Sequence, residues 1–129
     1  MKTENFWNDG LVAHLGIEFV ELEKERVVAQ LKVRDELLTT TGTLHGGTLM
    51  AFADTIGAVA TVLNLPAGAG TTTLESKTNF FAPGRSGTVR AETTPLHRGK
   101  RTMVWQTRVS DDSGRLLSMT IQTQLVLRE

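Results

Sequence analysis

From Gly46 to Leu63 the apolar side chains fall all around a helical wheel instead of along one stripe, the pattern of a helix with protein on nearly every side. The flanking chain changes period. Two β-rich runs in Ile17–Arg34 flank the charged cluster Glu23–Arg26, and Val27, Ala29, Leu31 and Val33 alternate with Gln30, Lys32 and Arg34, which predicts a hairpin with one wet face. LPAGAG, Leu65–Gly70, breaks the helix into a loop. Strands are predicted over Thr71–Ala82, Thr88–Leu96, Arg101–Ser110 and Arg115–Leu127, punctuated by Pro83, Gly84 and Gly87, by His97–Lys100 and by Asp111–Gly114. In the last strand Leu117, Met119, Ile121, Thr123, Leu125 and Leu127 face one way and Ser118, Thr120, Gln122 and Gln124 the other, the two-residue period of a sheet covered on one side. Phe6, Leu11, Val12 and Leu15 recur at a loose helical spacing and predict a short N-terminal helix over Asn5–Leu15.

This order predicts an α+β fold: about six antiparallel strands in a curved sheet wrapped around one long central helix, plus the short N-terminal helix. A sheet curled around a helix covers only part of it. The remaining apolar circumference calls for a second subunit, so a homodimer is expected.

Composition narrows the function. At 129 residues, 40% hydrophobic and 22% charged, with no repeat or linker, the chain reads as a single domain spanning 1–129. Its 14 basic residues balance 14 acidic ones, so no protein-wide field draws it to nucleic acid or to an anionic membrane. The absence of cysteine removes disulfides and thiolate metal ligands and fits a reducing, cytoplasmic compartment. MKTENFWNDG lacks the charged start and apolar core of a signal peptide, and the polar breaks at Asp54, Thr55, Gly57, Thr61 and Asn64 argue against a membrane span. His14, His45 and His97 lack metal-ligand spacing, and neither GxSxG nor GxxxxGK[ST] occurs, so zinc, serine-hydrolase and phosphate-loop chemistry have no support. No metal or cofactor is expected.

The chemistry concentrates in GTLHGGTLMAFADTIGA, Gly42–Ala58. Asp54 follows Gly47 by seven residues, close to two helical turns, so glycine and carboxylate share a face about 10 Å apart. The first amides of a helix lack intrahelical acceptors and sit at the positive end of its dipole, which suits a developing carbonyl oxyanion. Each residue also has an ordinary structural explanation. A helical aspartate commonly pairs with a neighbour, two glycines make a tight turn, and a histidine packs. The combination is more specific than its members.

That stretch resembles the signature of hotdog-fold acyl-CoA thioesterases of the phenylacetic-acid-degradation (PaaI) type, within the wider 4-hydroxybenzoyl-CoA thioesterase superfamily. The likeness covers most of the chain: the hairpin, the HGG-led helix with an acid nine positions after the histidine, then NFFAPG, HRGKR and the turn before the last strand. It implies the hotdog fold and hydrolysis of an aromatic or medium-chain acyl-CoA to free acid and CoA, CoA being part of the substrate. Asp54 matches the catalytic carboxylate, as nucleophile or general base. Gly47 matches the oxyanion-hole amide, His45 sits beside it and orients the loop or thioester, and Thr73 matches a Ser or Thr that helps hold the attacking water. Thr39 stands where many relatives carry asparagine, and its hydroxyl lacks the amide's paired donor and acceptor.

The resemblance further places CoA phosphates at Arg98, Gly99, Lys100 and Arg101, with Pro83, Gly84 and Arg85 on the adjacent loop. Met50, Phe80 and Phe81, with Phe6 and Trp7, are candidates for the acyl slot. Related enzymes share each site between subunits and commonly assemble as dimers of dimers. The rival readings are a non-catalytic acyl-CoA binding protein, suggested by Thr39, a hotdog-fold hydratase or dehydratase, for which no HFPxxP-like segment is found, and a purely structural dimer module.

Overall fold

The computed structural model describes residues 9–128. Its elements are α1 (Gly10–Leu15), β1 (Glu18–Glu23), β2 (Arg26–Lys32), a 3-10 turn at Asp35–Leu37, α2 (Gly46–Val62), β3 (Gly70–Phe80), β4 (Thr88–Arg98), β5 (Thr102–Ser110) and β6 (Leu116–Leu127). The expected N-terminal helix is therefore seen from Gly10. Its predicted first turn, with Phe6 and Trp7, lies outside the described residues. The six strands form one antiparallel sheet in the order β1-β2-β4-β5-β6-β3, which leaves β1 and β3 as its edges.

α2 packs against β2, β3, β4, β5 and β6. One straight helix reaches five strands only where the sheet curves around it, so this is the hotdog arrangement that the resemblance implied. Phe52, Ile56, Val59 and Ala60 of α2 join Val27, Ala29 and Leu31 of β2, Val89 and Ala91 of β4, and Met103, Trp105 and Val109 of β5 in one apolar core. Burial of each larger side chain contributes about 1.5–3 kcal/mol, and this dry half of the sheet holds the helix in place. The helix is not enclosed: Met50 is 39% exposed, and Ala51, Asp54, Thr55, Ala58 and Val62 are half-buried.

The other half of the inner face, on β6 and β3, is polar. Ser118, Thr120, Gln122 and Gln124 are fully buried, whereas Ile121 and Leu127 of the alternate set are 40% and 44% exposed. An apolar face normally turns to the core. Register reverses that here. Trp105 pairs with Gln122, Thr107 with Thr120 and Met103 with Gln124, and directly opposed residues share a face. With Trp105 and Thr107 buried, the polar residues of β6 must point inward with them. Hydrogen bonds make this tolerable: Thr93 to Thr107 at 2.7 Å, Thr78 to Thr120 at 2.7 Å, and Thr71 to Gln124 at 2.9 Å.

Candidate active site

The loop before α2 is closed by backbone bonds. Thr39 N donates to Thr43 O at 2.7 Å, Leu44 N to Gly84 O at 2.8 Å, and His45 N to Leu37 O at 3.0 Å. His45 then caps the helix: its Nδ1 accepts the Gly47 N–H at 2.7 Å. A Cβ at residue 47 would lie 2.9 Å from that nitrogen, so the ring folds back only because residue 47 is glycine. The expectation that Gly47 presents a free oxyanion donor is therefore amended. Its donor is taken within the chain, while the Gly46 N–H has no acceptor among the described residues. Gly46 borders a cavity of about 390 Å³ together with Thr39, Leu49, Phe80, Phe81 and Pro83.

Asp54 projects from α2 toward the polar half of the sheet and is half-buried. Its Oδ1 accepts Thr73 Oγ1–H at 2.7 Å and Gln122 Nε2–H at 3.1 Å. Gln124 Nε2 donates to Thr73 Oγ1 at 2.5 Å, so the single hydroxyl proton of Thr73 is directed at the carboxylate. Oδ2 takes no hydrogen bond among the described residues. The ion pairs found there lie elsewhere, Arg26 with Glu21 and Glu92, and Arg34 with Glu36. Hydrogen bonds to Glu92 and Glu21 hold the Arg26 guanidinium, at the start of β2, above its ordinary pKa. Thus Asp54 is anchored through one oxygen and uncommitted through the other. Such a carboxylate can act as a base or as a nucleophile.

Residues 41–118 match the thioesterase superfamily. This chain belongs to that family. It is 32% identical over 117 residues to the 1,4-dihydroxy-2-naphthoyl-CoA hydrolase of Escherichia coli strain K12, covering 91% of this chain and 86% of the relative. The crystal structure of thioesterase HI1161 from Haemophilus influenzae superposes with a TM-score of 0.93 at 31% identity, over 98% of this chain and 88% of that one. The E. coli PaaI protein from the phenylacetic acid degradation operon, with a TM-score of 0.88 at 23% identity over 98% of this chain and 90% of that one, shares the fold. Thioester hydrolysis is thus the reaction class of this superfamily member.

The remaining expected residues separate into two groups. Phe80 and Phe81 meet Gly46 and Thr39 around the first cavity, and Met50 is not among its lining residues. Thr39 Oγ1 bonds Thr41 and Thr43, with no contact to Asp54, so it organises the loop. Arg98, Gly99 and Lys100 border a second cavity of about 470 Å³ with Asn64 and Arg128, past the other end of α2. Arg101 is not among the residues lining it. Pro83 and Gly84 lie beside Leu44 at the helix start, and the length of β4, Thr88–Arg98, separates that loop, Arg85 included, from the basic cluster. They do not form a loop adjacent to the basic cluster within one chain, which corrects that expectation.

Gln122, Gln124 and Gly57 were missed as site residues. Gln122 and Gln124 read as the wet side of β6, and only pairing with β5 reverses them. Gly57 read only as one of the breaks in the apolar run that argue against a membrane span. A Cβ there would come within 2.2 Å of Gln122 Oε1. Among the described residues no helix is long and apolar enough to cross a membrane.

Proposed function

We propose that this thioesterase-superfamily protein hydrolyses acyl-CoA thioesters, with Asp54 as the reacting carboxylate. The observation that carries this reading is the state of Asp54: two donors on Oδ1, none on Oδ2, and no ion pair among the described residues. A thioester carbonyl lies against the N–H groups at the start of α2. Gly46 supplies the free donor, and Gly47 joins when substrate draws the His45 ring away. Asp54 Oδ2 takes a proton from the attacking water, or attacks the carbonyl carbon to give an anhydride that water then hydrolyses; in either case the C–S bond breaks and the CoA thiolate departs, taking up a proton. Thr73 and Gln124 keep Asp54 directed toward the reacting atoms.

The acyl group occupies the apolar cavity beside Phe80 and Phe81, which suits an aromatic or medium-chain tail, and the E. coli relative's naphthoyl-CoA substrate points the same way. The CoA phosphates meet Arg98, Lys100 and Arg128, where arginine forks and the lysine point charge suit phosphate. The incompletely covered face of α2 and the free edge of β3 support a homodimer in which Asp54 of one chain works with the partner's helix start.

The test is release of CoA, followed with a thiol reagent, from a panel including benzoyl-CoA and octanoyl-CoA. Asp54→Asn should lower turnover by ~10²–10⁴-fold with an unchanged melting curve. Near-native turnover in that variant removes Asp54 from the mechanism. Saturable acyl-CoA binding by the native protein, with no CoA released from any substrate, makes it a binding protein.

A further inference from the structure

We propose that Gln122 is a positioning residue for the thioester reaction: its carboxamide, seated in the space left by Gly57, keeps Asp54 anchored through one oxygen so that the other faces the substrate. The inference rests on Asp54 being the reacting carboxylate. Three observations carry it.

Gln122 is fully buried, and its Nε2 lies 3.1 Å from Asp54 Oδ1 and 3.4 Å from the Asp54 carbonyl oxygen. One amide group therefore reaches both the side chain and the backbone of the same residue. The opposite rotamer would set Oε1 against the carboxylate, an acceptor against an anion, so the donor direction is determined by the neighbour.

The arrangement is also unfavourable as mere packing. Oε1 has no partner among the described residues, and an unsatisfied buried acceptor destabilises the fold. Gly57 costs helix stability as well, yet any Cβ at that position would collide with the Gln122 carboxamide, at 2.2 Å from Oε1 and 2.3 Å from Cδ. An apolar side chain beside Trp105 with alanine on the helix would pack without either penalty. What that pair would lose is the donor to Asp54.

Finally, Thr39 puts no amide in the loop ahead of α2, and its hydroxyl is engaged by Thr41 and Thr43. The amide that meets the carboxylate comes instead from the sheet.

The experiment measures kcat, KM and melting temperature of the full chain with benzoyl-CoA and octanoyl-CoA. Gln122→Met keeps length and removes the donor, and kcat should fall about 10- to 100-fold while KM stays within about twofold. Gln122→Glu keeps the shape, and at 3.1 Å the two carboxyl groups share a proton, so its kcat should change with pH in a way that the methionine variant's does not. Gly57→Ala should reproduce the loss in kcat although residue 57 touches no reacting group, and combining it with Gln122→Met should add little. Native kcat in Gln122→Met, a lowered melting temperature with native kcat, or a glutamate variant whose kcat follows pH as the methionine variant's does overturns the proposal. Asp54→Asn separates the two levels. If it is inactive while Gln122→Met is native, only the positioning role fails, and if it is native, the carboxylate reading fails with it.

Discussion

His45 shows how one side chain links helix stability to chemistry. It caps α2 through the Gly47 N–H and leaves the Gly46 donor unpaired among the described residues. Gly46→Pro removes that donor, with Gly46→Ala, which keeps the N–H, as the control for a Cβ that meets the Phe80 ring at 3.2 Å. Proline is well tolerated at the first helical position, and the extended backbone of His45, φ −62° and ψ 137°, is the conformation a residue before proline adopts. The variant should keep its melting temperature within a few degrees and lose ~10²–10³-fold in kcat, the range for removal of an oxyanion donor, as a CoA-release assay would show. His45→Ala should do the reverse to stability: loss of the cap costs about 1 kcal/mol, read by urea unfolding. At this scale the sequence was informative about Asp54, because an acid in an apolar helix is conspicuous. It was uninformative about Gln122, because a glutamine alternating with Ile121 and Thr123 looks like solvent-facing strand.

The β5–β6 hairpin is the element that decides which way Gln122 points. Asp111 organises its turn by accepting Ser113 Oγ–H at 2.7 Å and the backbone N–H groups of Ser113 and Arg115, both at 3.0 Å, while Gly114 takes a positive φ of 88°. The Ser113 hydroxyl first, then the Arg115 N–H, hold the Asp111 carboxyl below its ordinary pKa. A carboxyl depressed in the folded state adds stability that is fully present above its unfolded value and disappears as pH falls through the folded one. Asp111→Asn should therefore melt below the native protein at neutral pH, with the gap closing on acidification. Parallel melts across that range check this. The turn residues were legible in DDSG. The consequence of the turn was not, since a shift of one residue in register exchanges the two faces of β6, and only the pairing of Gln122 with Trp105 selects one.

Across the whole molecule, the helix-start cavity and the basic cavity stand at opposite ends of α2, separated by about 25 Å of helix. A shared site in a homodimer predicts complementation. Refolding Asp54→Asn together with Gly46→Pro in equal amounts should restore about a quarter of native turnover, because about half the dimers are mixed and each mixed dimer holds one intact site. Recovery no greater than the sum of the two variants alone would place both groups in a single-chain site. The amino-acid order by itself determined the succession of elements, the central helix and the acid within it, because these depend on short-range periodicity and on residue types that stand out from their neighbours. Tertiary structure decided which face of β6 is buried and that Asp54 is anchored by Thr73 and Gln122. These are contacts between residues 19 and 68 positions apart in the chain, and no local pattern encodes them until strand register brings them together.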